Sequence, residues 1–367
     1  MFAYIVRRLL LILPTLFGIM LLNFAIVQVV PGGPVEQILA KLSGTDIGAT
    51  ARVSGGGSEL QGSGSGTGGG QEGSEYRGAQ GLDPEFIADL ERTFGLDKPP
   101  AERFLLMMGR YLTFDFGESY YQSRSVVDLV LDKLPVSISL GLWTTLLVYL
   151  VSIPLGIAKA VRDGSRFDVW TSGAIVVGQA VPSFLFAVLL IVLFAGGSYV
   201  QWFPLRGLVS PDFDALPWHG QVLDYLWHMV LPLTALLVGS FATLTMLTKN
   251  SFLEELGKLY VATARAKGLT ERRVLYGHVF RNAMLIVIAG FPGVIIGVLF
   301  GSALLIEIIF SLDGLGLLGF EAAVRRDYPV MFGTLYVFTL LGLLTNLLGD
   351  LMYVLVDPRI DFERREA

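Results

Sequence analysis

The sequence contains no cysteine in 367 residues, which excludes disulfides, thiolate metal sites and thiol redox couples. Histidine is almost as scarce. His219, His228 and His278 lie far apart, and none stands in a metal-ligand spacing such as H-E-x-x-H, so each reads as an interfacial or solvated residue. Charged residues make up only 16%, with a net charge of -5, so the molecule as a whole offers nucleic acid no basic surface. No lysine precedes Ser or Thr. A Walker A loop, G-x-x-x-x-G-K followed by Ser or Thr, is therefore absent, and with it the usual means of holding ATP phosphates and magnesium. What the chain does have is apolar: 53% hydrophobic residues and a mean hydropathy of +0.61, the balance of a membrane protein.

A helix needs about 20 apolar residues to cross the hydrocarbon core, where its backbone must satisfy itself. Six segments qualify: Leu9 to Val30, Val136 to Ala158, Val169 to Ala195, Met229 to Leu247, Ala283 to Phe310 and Met331 to Val356. The fifth is long enough to tilt or break near its outer end. The first follows Arg7 and Arg8 as a signal peptide would, but its apolar run is too long and no small-x-small site follows, so an uncleaved anchor is expected. Recurrence of such long segments disfavours core helices of a soluble protein. Lys159, Arg162 and Arg166 crowd the second connection, and Lys249, Lys258, Arg265, Lys267, Arg272, Arg273 and Arg281 the fourth, whereas Gly196 to His228 holds Arg206 alone. Basic loops stay inside, so both termini are expected in the cytoplasm. Trp202, Trp218 and Trp227 near the outer boundary and Trp170 near the inner one suit an aromatic belt.

The domain pattern expected is a first span over 1-30, an outer insertion over 31-135, a five-span core over 136-356 and a tail over 357-367. The insertion turns through "PGGP" and continues into the Gly/Ser-rich stretch "SGGGSELQGSGSGTGGGQEGSEYRGAQG" (54-81), whose composition permits only a tether. A small helical cap follows. Its first helix has Asp83 as cap, Pro84 at the first position and Gly95 as stop; a second covers Ala101 to Leu112 and a short third Val126 to Leu134.

Inside the spans, Pro14, Pro154, Pro182, Pro232 and Pro292 predict kinks. The polar residues Asn23, Gln28, Gln179, Ser183, Asn346 and Asp350 are costly against lipid and point to a bundle interior or a cavity. Gln179 and Ser183, four apart beside Pro182, are expected on one helical face. With Asn346 they form the candidate substrate pathway; ordinary interhelical hydrogen bonding is the alternative. Asp350 lies close enough to the inner boundary to be solvated or salt-bridged, and Glu307 near the outer end could pair with an arginine of the outer loops.

The most informative stretch is "YVATARAKGLTERRVLYGHVFRNA", within the basic connection 249-282. Leu253, Leu256, Tyr260, Val261 and Ala264 fall at helical spacing and form an apolar stripe with a basic rim. Gly268 can end that helix in the left-handed conformation, Thr270 can cap a second, and Glu271 suits the latter's positive end. The second helix runs through Arg273, Val274, His278 and Arg281 into the fifth span. With the small residues Ala262, Ala264 and Ala266 allowing close approach, the segment suits docking in another protein's groove; lying on anionic lipid is the alternative.

The order Ala262, Thr263, Ala264, three residues, Gly268 resembles the E-A-A-x-x-x-G core of permease subunits in binding-protein-dependent ABC importers, with Ala262 at the glutamate position. The following I-x-L-P is missing, His278 and Phe280-Arg281 standing there, as in the peptide-transporter branch. "HVFRNAM", "FDFGESY", "LPVSISLGLWTTLL", "IPLGIAKAVRDGSRFD", "FSLDGLGLLGFEA", "RDYPVMFGTLY" and "VDPRIDFERRE" are similar to that branch, and most of all to permeases of importers for oligopeptides and the peptide-nucleotide antibiotic microcin C.

The resemblance implies an all-α polytopic protein with six transmembrane helices, the type I ABC importer fold, in a bacterial inner membrane. It implies a heterodimer with a second permease subunit, ABC ATPase subunits that carry the ATP and magnesium, a periplasmic peptide-binding protein and a peptide substrate, this chain itself being non-catalytic and binding no cofactor. Tyr260, Ala262, Thr263, Ala264, Arg265, Lys267, Gly268 and Leu269 would then form the coupling helix seated on an ATPase. Two other classes compete. An ion-coupled secondary transporter would show related halves and midplane carboxylates, whereas here no internal repeat is seen and the acids lie toward span ends. An intramembrane enzyme using Ser183 or Ser240 would need a histidine base within reach and a G-x-S-x-G context that is absent.

Overall fold

A computed structural model describes residues 2-29, 98-197, 199-297 and 303-356. The tether, the helix expected after Asp83 and the C-terminal tail lie outside the described residues. The described chain is helical; an isolated bridge between Glu118 and Ser125 is its only β pairing. In order the helices are α1 (Phe2–Val29), α2 (Pro100–Tyr111), α3 (Val126–Val161), α4 (Arg166–Ala180), α5 (Ser183–Phe194), α6 (Trp218–Leu256), α7 (Leu259–Ala266), α8 (Glu271–Val274), α9 (Phe280–Gly297), α10 (Ala303–Ile309), α11 (Leu315–Arg325) and α12 (Tyr328–Val356), with a 3₁₀ turn at Phe213–Ala215 and a π turn at Leu275–Val279.

Five stretches, Tyr4–Val29, Val126–Val161, Trp218–Leu256, Glu271–Gly293 and Tyr328–Met352, are long and apolar enough to cross a bilayer. The third expected span is not one rod. It is the pair α4 and α5, bent by 91°. Val181 leaves helical geometry and Pro182 begins the next helix, because proline has no N–H to continue the α4 ladder and pushes its predecessor toward extended angles. Gln179 and Ser183 therefore lie on two helices, which corrects the expectation of a shared face. α9 (Phe280–Gly297) and α10 (Ala303–Ile309) both fall within the fifth expected stretch. α3 is longer than expected, since Pro135 sits inside a continuous helix of 36 residues instead of separating two.

The chain forms two compact units. In the larger (1-13, 132-317 and 338-367), Leu140, Ala187, Leu190, Met229, Leu236, Ile306 and Phe310 bury one cluster between α3, α5, α6 and α10. A second cluster joins Val148, Ile157 and Phe252 to Val261, Ala264, Val274, Val279 and Ala283, fixing α7 to α9 against α3 and α6. Gly156 makes that packing possible: a Cβ there would stand 2.6 Å from the Thr248 Cβ. Asp350 is salt-bridged, 3.0 Å from Arg8 Nη2, and accepts from the Tyr4 hydroxyl at 3.0 Å.

Among the described residues Glu307 does not pair with an outer arginine. Fully buried, its carboxylate accepts from the Leu317 N–H at 2.7 Å and from Ser137 Oγ at 3.4 Å. It thus sits at the positive end of α11, where Gly314 leaves room: a Cβ would fall 2.3 Å from Glu307 Oε1. The smaller unit (14-131 and 318-337) packs Phe24, Phe104, Met108, Tyr111, Phe116, Val126 and Tyr336 into a largely aromatic core. Its polar tie is Asp327, which accepts from Ser119 Oγ at 2.5 Å and from the Tyr120 N–H at 3.2 Å.

Candidate functional site

α6 is 39 residues long, about 58 Å at 1.5 Å per residue, and so extends far beyond a hydrocarbon core of about 30 Å. Its last turns carry the basic segment clear of the membrane. The helix stops at Leu256; Gly257 and Lys258 interrupt it before α7 starts at Leu259. The single stripe expected from Leu253 to Ala264 survives this break, since Leu253, Leu256 and Tyr260 pack against the same core cluster that buries Val261 and Ala264.

Gly268 takes the left-handed conformation at φ 77°, as a glycine stop predicts. The Gly268 N–H donates to the Arg265 carbonyl at 2.9 Å and the Leu269 N–H to the Ala264 carbonyl at 3.3 Å, closing α7. Thr270 occupies the cap position of α8, but its side chain makes no capping bond. Arg265 and Glu271 clasp across the turn with two bonds, 2.9 and 3.1 Å. Both are exposed, so the clasp contributes about 0.2–1 kcal/mol and mainly holds the turn's shape.

The two faces of α7 differ. Val261 and Ala264 are buried in the chain's own core, with Tyr260 and Leu269 packed beside them. The apolar stripe thus faces this protein, which corrects the expectation that it fills a partner's groove. The opposite face is small and open: Ala262, Thr263, Arg265, Ala266, Lys267 and Gly268 are exposed, and Leu259 is 87% exposed.

Two polar ties hold this region together, one from α7 to α6 and one from α6 to α9. The Tyr260 hydroxyl donates to Glu255 Oε2 at 2.6 Å, and Lys258 pairs with the same carboxylate. Burial and this bond hold the Tyr260 phenol above its ordinary value of 10.0, so it remains a protonated donor at neutral pH; the Glu255 carboxylate raises Lys258 likewise. The second tie is Ser251 Oγ, donating to the Ala283 carbonyl at 2.6 Å between α6 and α9. Beyond α8 the chain passes through the π turn into α9 without leaving helical form. Such turns recur at functional places in helices.

A further cluster escaped the sequence reading, which counted its members as loop charges. Lys159 is fully buried at the end of α3, its Nζ 3.0 Å from Asp168 Oδ1 and donating to Thr171 Oγ1 at 2.8 Å, Ser172 Oγ at 2.7 Å and the Asp168 carbonyl at 2.9 Å. Lys249 of α6 reaches Asp168 Oδ2 at 2.7 Å and Asp163 at 2.8 Å. Asp168 therefore binds α3, α4 and α6 at the end of the bundle that holds α7. The one sequence signal was a lysine and an aspartate at opposite ends of a short glycine-containing connection.

The pathway candidates are not gathered at one point. Gln179 and Pro182 are exposed and Ser183 half-buried at the 91° corner, while Asn346 is exposed on α12. Asn23 donates to the Ile19 carbonyl of its own helix at 2.9 Å and Gln28 accepts from Arg103 at 2.7 Å.

Known proteins resemble this chain along its length. The family described as "Binding-protein-dependent transport system inner membrane component" matches residues 152-362. The "Peptidoglycan transport system permease protein YejB" of Agrobacterium fabrum is 62% identical over 365 residues, covering 100% of both chains. The "Inner membrane ABC transporter permease protein YejB" of Escherichia coli O157:H7 is 59% identical over 363 residues, covering 99% of this chain and 100% of its own. The "Dipeptide transport system permease protein DppB" of Escherichia coli K12 is 34% identical over 378 residues, covering 98% of this chain and 99% of its own.

Proposed function

Since the chain belongs to the family of inner-membrane components of binding-protein-dependent transport systems, we propose that it is the permease through which an ATP-driven importer moves oligopeptides from periplasm to cytoplasm. The observation that carries the mechanism is the two-faced helix α7. One face is welded to α6 and α9, and the other, from Leu259 to Gly268, is open to a neighbour. An ABC ATPase subunit seated on the open face supplies the energy that this chain, without a Walker A loop, lacks. ATP and magnesium are held there. Closure of the ATPases carries α7 with it, and the spans alternate between outward-open and inward-open states. Moving such an equilibrium from 1:99 to 99:1 requires about 5.5 kcal/mol of differential interaction.

The assembly is completed by a second permease subunit and a periplasmic peptide-binding protein, with both termini of this chain in the cytoplasm. Gln179, Pro182, Ser183 and Asn346 are the proposed pathway residues. Exposed amides within apolar spans are costly against lipid and are better placed facing a cavity or the second permease. For the cargo, the relative described as a peptidoglycan transport permease adds peptides derived from peptidoglycan to plain oligopeptides, and peptide-nucleotides such as microcin C fall within the same class.

Reconstitution of the whole complex in proteoliposomes tests this reading. ATP-dependent uptake of an oligopeptide or a peptidoglycan-derived peptide is expected, abolished when the ATPase subunits alone are inactivated. Uptake by this chain alone, driven by a proton or sodium gradient, would establish the ion-coupled reading instead.

A further inference from the structure

The second half of α1 and the adjoining face of α2 enclose two hollows in the smaller unit that share Phe24 and Gln28. One is an apolar groove of about 480 Å³ walled by Phe17, Leu21, Phe104 and Leu105. Phe104 fixes its floor, with its ring 5.3 Å from both Phe17 and Phe24. The other is a pocket of about 390 Å³ bearing Lys98, which pairs with Glu102 at 3.4 Å, together with Arg103 and Arg110; the acid among its described lining residues is Asp115, whose Oδ1 accepts from the Gly117 N–H at 3.1 Å. Arg103 bonds Gln28 through Nη2 at 2.7 Å and lies over the Phe24 ring, but its buried Nε has no hydrogen-bond partner. A buried guanidinium N–H without an acceptor is costly, and an anion is the acceptor it fits best.

We propose that this paired hollow binds one anionic phospholipid of the membrane leaflet at the Gln28 end of α1, an acyl chain lying in the groove and the phosphate at Arg103. Depth argues for a lipid. From Phe17 to Gln28 the helix rises about 16 Å, close to half of a hydrocarbon core of about 30 Å. The groove therefore spans one leaflet, and the basic pocket sits where headgroups begin. Charge argues for an anionic one: with Lys98 paired to Glu102 at 3.4 Å, Arg103 and Arg110 still outnumber Asp115 among the described lining residues, so the pocket favours a headgroup of net negative charge. A free phosphate ester would leave the groove empty, and a peptide carboxylate has no reason to be joined to an apolar channel of leaflet depth.

Native mass spectrometry of the complete transporter in detergent, after exchange with defined lipids, tests the site. Wild type should retain phosphatidylglycerol at least about tenfold better than phosphatidylethanolamine. Arg103→Gln should remove most of that preference. Ala101→Trp, which fills the groove from an exposed position without touching the charges, should lower retention of both lipids at least fivefold with the complex intact. Glycerol phosphate and a tripeptide should not displace phosphatidylglycerol. Equal retention of the two lipids by wild type would overturn the proposal, as would undiminished retention in Ala101→Trp. Displacement by glycerol phosphate would reassign the pocket to phosphate esters, and displacement by the tripeptide to cargo. If Arg103→Gln does not assemble, the wild-type preference and Ala101→Trp decide the matter.

Discussion

Gly268 has nothing within 4 Å of where a Cβ would stand, so any cost of substitution there comes from the backbone and not from crowding. At φ 77°, an L-residue pays roughly 1–2 kcal/mol, and a β-branched one more. Gly268→Val is therefore expected to open the turn and uncouple cargo from ATP hydrolysis, while Gly268→Asn, which tolerates the left-handed region, keeps most of the coupling. Substrate-stimulated ATPase of the reconstituted complex measures this; normal stimulation in Gly268→Val would remove the turn from the mechanism. Lys159 makes a different case. Lys159→Met takes the cation from the buried Asp168 Oδ1 while Lys249 still holds Oδ2, so it should destabilise the chain by about 1–3 kcal/mol, seen as a lowered melting temperature in detergent. Replacing Lys159 and Asp168 together by Met and Leu should recover part of that loss. A single variant as stable as wild type would show the cluster to be solvated.

At the scale of the element, α7 separates what packs from what is open. Leu259→Asp puts a charge on a side chain that is 87% exposed, so it should leave folding unchanged and reduce copurification of the ATPase at least tenfold. Val261→Asp, directed into the core, should instead reduce expression of the permease itself. Retention of ATPase by Leu259→Asp would place the docking surface elsewhere. Gly156→Leu tests the support behind α7: with only 2.6 Å available to a Cβ, α3 and α6 must separate, and the detergent-solubilised chain should melt earlier.

How much of this was legible depended on how local the cause is. The end of α7 was, because the left-handed requirement resides in Gly268 itself. What its stripe meets was not, since periodicity marks Val261 and Ala264 as packed but does not say that they pack against this chain's own Phe252, Val274 and Val279. Pro182 announced a kink but not its size: whether a missing N–H bends a helix slightly or turns it by 91° is decided by what packs against either arm. Asp168 and Glu307 were read as loop or rim charges because each has a partner from a segment distant in the chain, Lys249 in one case and Ser137 in the other. Spacing along one element cannot reveal such neighbours.

For the whole molecule, the account joins a membrane bundle without ATP chemistry of its own to an external motor through one short helix. The natural absence of cysteine allows a direct test, because a single introduced thiol is unique in the chain. Ala262→Cys, on the open face of α7, should cross-link to the ATPase subunit with a short bifunctional reagent in membranes containing the complete transporter, and ATP should change the yield as the ATPases close. A thiol that reacts only with lipid-phase reagents, or shows no ATPase adduct in any nucleotide state, would contradict the account.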